Sequence, residues 1–79
     1  MNPDEFFQNA LEGRVDNVRS MIQSGCPADL RDAGGRTALM AAAYNGHLGL
    51  LNVLVDAGAD VLAVDRTDRS ALMYAATGD

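Results

Sequence analysis

Arg36-Thr37-Ala38-Leu39-Met40-Ala41-Ala42-Ala43 returns as Arg69-Ser70-Ala71-Leu72-Met73-Tyr74-Ala75-Ala76, each residue 33 positions after its counterpart. A fixed spacing that carries a polar capping residue, an apolar pair and a run of alanines is the mark of a repeated supersecondary unit. The correspondence extends outward from this stretch: Asp32 matches Asp65, Gly46 matches Gly13, Gly58 matches Gly25 and Ala43 matches Ala10. One complete middle repeat therefore sits between an earlier, divergent copy and a later, shorter one.

Each copy opens with a residue whose side-chain oxygen caps the first free amides of a helix: Asp4, Thr37 and Ser70. The first helix is expected from about Asp4 to Glu12, ending at Gly13, and the second from about Asp16 to Ser24. In the second, Val15, Val18, Met21 and Ile22 form a single apolar stripe. Its counterpart, about Leu48 to Ala57, is apolar more widely, with Leu50 and Val53 standing where the first copy has Asn17 and Ser20. An interior repeat buries both sides, whereas a terminal repeat turns one side to water. This comparison divides a single domain, 1–79, into an N-terminal capping repeat, 1–34, a full repeat, 35–67, and a truncated repeat, 68–79. Phe6 and Phe7, at the Leu39 and Met40 positions, fit a cap because a large ring covers core that an upstream repeat would otherwise shield. The segments from Gly25 to Gly35 and from Gly58 to Asp68 carry turn residues without a helical stripe and are connecting loops. Asp68 occupies the place of the turn glycine Gly35, and Asp tolerates a left-handed backbone better than most residues.

Thr37-Ala38-Leu39-Met40-Ala41-Ala42 resembles the ankyrin repeat signature Thr-Pro-Leu-His-x-Ala, whose period is about 33 residues. Gly46-His47 is similar to the family's glycine-histidine turn, Leu50-Leu51-Asn52-Val53-Leu54-Val55 to its second helix, and Gly58-Ala59-Asp60-Val61 to its exit. The resemblance covers essentially the whole chain. It implies an all-α solenoid of about two and a half helix-turn-helix repeats, five helices in all, with hairpin-like loops standing roughly perpendicular to them. Ala38 and Ala71 depart from the family's proline, and Met40 and Met73 from its histidine, which removes the hydrogen bonds that histidine makes.

A chain of 79 residues buries only roughly 60% of the surface of its unfolded form. Six arginines, no lysine and 11 acidic residues give a formal net charge of −5, against the local cation excess that a phosphate backbone requires. Cys26 is the only cysteine, so no intrachain disulfide forms. It replaces the small Ala59 and reads as packing, and the chain reads as cytoplasmic. The acidic N-terminus has neither the basic nor the apolar region of a secretory signal, so Met1 reads as a natural start. No apolar run approaches the roughly 20 residues of a membrane span. A catalytic constellation has too little to draw on with one His and one Cys, and His47 is assigned to local hydrogen bonding at its turn. One His and one Cys are no metal signal, and Gly34-Gly35 fits turn geometry without a phosphate-loop pattern. No enzyme activity, cofactor or metal is expected.

Two functions remain: a scaffold that binds a partner protein, which is preferred, and a structural or self-assembling solenoid segment of a longer array. For the first, the ankyrin resemblance implies a concave face built from the first helices and loop tips. In the middle repeat Leu39, Ala42 and Ala43 form a packed stripe and leave Ala41, Tyr44 and Asn45 as a second one, continued by Tyr74 and Thr77. Arg36 and Arg69 stand at equivalent loop-to-helix junctions and become neighbours on stacking, with Ala33 and Arg66 nearer the tips. Tyr and Arg dominate interface energetics when desolvated. The alternative is that both tyrosines fill gaps between helices and both arginines pair with Asp32, Asp65 or Asp68. For the second function, the interior-type residues Leu72, Met73, Ala75 and Ala76 predict that an uncovered C-terminal end self-associates or frays.

Overall fold

Thr37 begins the central helix as the sequence requires. Its Oγ1 accepts the Met40 amide at 3.4 Å, and the Met40 Sδ accepts the Thr37 amide at the same distance, closing a capping box in which sulfur takes the usual carboxylate's place. The computed structural model describes residues 3–77. Within them are five helices: α1 Pro3–Leu11, α2 Val15–Gln23, α3 Ala38–Tyr44, α4 Leu48–Asp56 and α5 Ala71–Thr77. Ser70 Oγ accepts the Met73 amide and repeats the cap of Thr37. Asp4 does not occupy that place. With Pro3 as the first helical residue, it lies inside the first turn of α1, where a carboxylate favours the positive end of the helix dipole.

The helices pair within repeats, α1 with α2 and α3 with α4, and stack between them, α1 on α3, α3 on α5 and α2 on α4. All of Ala38 to Ala43 is buried, because α3 has a neighbour on three sides and its alanines let those helices approach closely. The expected division of α3 into a packed stripe and a second face therefore fails at Ala41, which is as buried as Ala42. The core is completed by Phe6, Ala10, Val18, Cys26, Leu50, Leu54 and Ala59. Burial pushes the Cys26 thiol up and keeps it in the unreactive protonated form.

Asn17 and Ser20 are exposed, while Leu50 is fully buried and Val53 half-buried. The wider apolar surface of α4 is only partly covered. Val55 stays 47% exposed.

The loops tie neighbouring repeats together. Asp29 Oδ1 accepts the Asp60 amide at 2.8 Å, Arg31 donates to the Gly35 and Val64 carbonyls, and the Arg66 amide donates to the Gly34 carbonyl. Each loop turns back through equivalent backbone bonds, Asp32 to Arg36 and Asp65 to Arg69, and Val64 and Ser70 form an isolated antiparallel bridge. Gly35 and Asp68 have φ of 79° and 63°, so Asp68 does adopt the left-handed turn. His47 is not engaged locally. Its Nε2–H donates to the Leu11 carbonyl 36 residues earlier, beside the amide of Asn45, and the ring lies where a Cβ on Gly13 would come within 2.7 Å of it. No helix among the described residues is long and apolar enough to cross a membrane.

Candidate functional site

The repeat brings like positions of successive first helices side by side, and this builds a cleft across α1, α3 and α5. The cleft has a volume of about 420 Å³ and is lined by Phe7, Leu11, Arg36, Met40, Ala41, Tyr44, Arg69 and Tyr74. Five of the sequence-selected residues, Arg36, Ala41, Tyr44, Arg69 and Tyr74, thus converge on it. Buried Ala41 supplies floor. Tyr44, 46% exposed, meets Tyr74 edge to face at 6.1 Å between ring centres and 82° between planes, a favoured aromatic geometry.

The other selected residues lie elsewhere or are already engaged. Ala33 and Arg66 are exposed on successive loop turns. The Asn45 side chain donates to the Leu11 carbonyl at 2.7 Å, a bond between repeats. Thr77 ends α5, and its side chain lies outside the described residues.

Two carboxylates brace the cleft from behind. Asp32 Oδ1 accepts the Gly34 and Arg36 amides, and its Oδ2 accepts from Arg36 Nε at 3.0 Å and a terminal guanidinium nitrogen at 3.0 Å. The Arg36 guanidinium also lies over the Phe7 ring, 4.7 Å from its centre, so it is pinned from two sides. Asp65 Oδ1 accepts the Thr67 amide, the Thr67 hydroxyl and the Arg69 amide, and its Oδ2 accepts the Tyr74 hydroxyl. These donors, the Tyr74 hydroxyl foremost, hold the Asp65 carboxyl well below the usual carboxylate range against the opposing effect of burial. The same bond, together with burial, raises the Tyr74 phenol above its ordinary value. Asp65 was not selected from sequence. The signal available was its match to Asp32, but nothing local told that a tyrosine nine residues on would reach it.

The described residues hold no group of His, Cys, Asp and Glu able to bind a metal ion. What the cleft offers instead is recognition chemistry: three aromatic rings, a phenol hydroxyl on Tyr44 and guanidinium N–H donors above an apolar floor.

A second concavity, between α4 and α5, is apolar. Leu39, Ala43, Leu51, Val55, Val61, Ala71, Leu72 and Ala75 line it, and Leu72 is 79% exposed.

A family model described as ankyrin repeats, in three copies, matches residues 6–79. The chain is 49% identical over 51 residues to Acyl-CoA-binding domain-containing protein 2 of Arabidopsis thaliana, a match covering 65% of this chain and 14% of that protein. It is 41% identical over 67 residues to human Ankyrin repeat domain-containing protein 63, covering 85% of this chain and 17% of the relative. With Protein HOS4 of Saccharomyces cerevisiae it shares 37% over 71 residues, 89% of this chain and 7% of the relative. The chain thus spans less than a fifth of the length of each of these proteins. The 33-residue period, the stacked helix pairs and the family match agree, and the chain belongs to the ankyrin repeat family.

Proposed function

We propose that the chain is a protein-interaction module that binds a partner protein through the face formed by α1, α3 and α5 and the adjoining loop tips. Ankyrin repeats are in general interaction modules without catalytic chemistry of their own. The observation that carries the reading is the convergence of Tyr44, Tyr74, Arg36 and Arg69, from two repeats, on one cleft. Ala33 and Arg66 extend the surface along the loops, Ala41 floors it, and Asn45 and Thr77 bound it at the helix ends. On this reading 1–34 caps the stack, 35–67 is its full repeat and 68–79 its truncated one. A cytoplasmic location goes with it, supported by the lone buried thiol. The net charge of −5 speaks against nucleic acid as partner. The test is capture of a partner from the source cell followed by affinities of Arg36→Ala, Tyr44→Ala, Arg69→Ala and Tyr74→Ala. At least one should lose about 2 kcal/mol or more. Full affinity in all four, with loss in Asn52→Ala or Asp56→Ala on α4, would move the site to the opposite face.

The apolar concavity between α4 and α5 favours a second reading, a solenoid segment that stacks on further repeats or on another copy of itself. Sedimentation at two concentrations separates the two. A constant monomer supports the module alone, and growth with concentration supports stacking.

A further inference from the structure

Arg36 and Arg69 are equivalent by the repeat, yet of the two only the Arg36 guanidinium is held among the described residues. Asp32 and Asp65 use Oδ1 in the same way, accepting amides two and four residues ahead. They differ at Oδ2. In the middle repeat it takes two nitrogens of the Arg36 guanidinium, whereas in the third it takes the Tyr74 hydroxyl, a residue standing where the middle repeat has Ala41. The second anchor differs as well. Arg36 lies over the Phe7 ring of the preceding repeat, and the residue equivalent to Phe7 one repeat on is Met40, which has no aromatic face. Among the described residues the Arg69 guanidinium forms no ion pair, although it lines the cleft.

We infer that Tyr74 is a positioning residue that displaces Arg69 from Asp65, and that the freed guanidinium receives a carboxylate of an acidic peptide segment whose neighbouring apolar side chain enters the cleft. The inference rests on the α1, α3 and α5 face being the binding face and names the chemistry of what binds there. Charge complementarity supports it despite the acidic chain. The two carboxylates bonded to cleft side chains are withdrawn, since the Asp32 side chain is 5% exposed and Asp65 is buried with both oxygens occupied. A ligand therefore meets guanidinium donors, and no acidic residue among the described ones lines the cleft. Arginine presents a planar fork that pairs with a carboxylate through two parallel hydrogen bonds. Phe7, Leu11, Met40 and Tyr44 give the adjoining apolar wall.

The test is an NMR titration of the isotope-labelled chain with the peptide acetyl-Ser-Glu-Leu-Glu-Leu-Glu-Ser-amide and with twins carrying Gln or Lys in place of Glu. The Glu peptide should shift the Arg69 side-chain signal and the Tyr44 and Tyr74 rings, and bind about tenfold tighter than the Gln twin. Arg69→Gln should abolish that preference. Tyr74→Phe keeps the ring and loses the hydroxyl, so Arg69 should fold back onto Asp65. Its Nε–H signal should then approach that of Arg36, and most of the tenfold preference should disappear. A Tyr74→Phe protein with unchanged Arg69 signal and unchanged preference overturns the positioning role. A preference that survives Arg69→Gln, tighter binding of the Lys twin, or no shift with any peptide overturns the acidic ligand. Equal binding of the Glu and Gln peptides in the cleft also overturns it but leaves the binding face intact, whereas shifts confined to α2 and α4 overturn both.

Discussion

At φ 63°, Asp68 holds a left-handed backbone that Gly35 adopts at φ 79° without a Cβ. The penalty for an L side chain there is about 1 kcal/mol, and glycine returns part of the gain through its freer unfolded chain. Asp68→Gly is expected to stabilise the protein by about 0.5 kcal/mol, seen as a higher urea midpoint with unchanged slope. A lower midpoint would mean that the Asp side chain compensates the strain. Asp65 gives a prediction of pH dependence. Its carboxyl is depressed in the folded chain, so its stabilisation is complete above the ordinary carboxylate range and is lost as pH falls through the folded value. Asp65→Asn leaves too few acceptors for four donors and should cost about 1–3 kcal/mol at neutral pH. The gap between wild type and variant should narrow progressively below roughly pH 4 in paired urea titrations. A gap independent of pH would show that the charge on Asp65 contributes nothing. These residue-scale features were unevenly legible: the left-handed turn followed from the match of Asp68 to Gly35, but the choice of Oδ2 partner depends on how α5 meets its own loop.

Between elements, α2 and α4 occupy the same place in successive repeats and differ in what their outer faces can afford. Leu50 is fully buried beneath neighbours, and Asn17, its counterpart, is exposed and donates to Asn9 Oδ1 at 3.1 Å. Leu50→Asn buries an amide without partners and leaves a void, at a cost of about 3–5 kcal/mol, whereas Asn17→Leu should change stability by under about 1 kcal/mol. Urea midpoints of the two variants decide the matter, and equal losses would contradict the polar outer face of the first repeat. Helix positions were readable to within one residue, because the capping residues Thr37 and Ser70 mark where α3 and α5 begin and the apolar stripes and turn glycines place the other helices. The all-round burial of α3 was not, since it arises from α1 and α5 stacking on both sides. Equally hidden were the bonds from Asn45 and His47 to the Leu11 carbonyl, which join residues more than 30 positions apart.

Across the whole molecule, contacts run between neighbouring repeats: α1 meets α3, α3 meets α5, and stability passes along the stack in nearest-neighbour steps. Exposed Leu72, Met73 and Val55 lie at the α4 and α5 end. Amide exchange is therefore expected to be faster in α5 than in α3, with protection in α5 rising as concentration increases if copies pair through this end. Fast exchange in α3 with slow exchange in α5 would contradict that order. The sequence made the stack legible because a repeat states its own neighbours, and it placed Arg36, Arg69, Tyr44 and Tyr74 on one side. It did not distinguish the held arginine from the free one, a difference made by a hydroxyl meeting a carboxylate across a loop. The most direct measurement of the central claim is a cross-saturation NMR footprint of the chain bound to its captured partner protein. The account predicts saturation at Arg36, Tyr44, Arg69 and Tyr74 with α2 and α4 spared, and saturation centred on Asn52 and Asp56 with those four residues spared would contradict it.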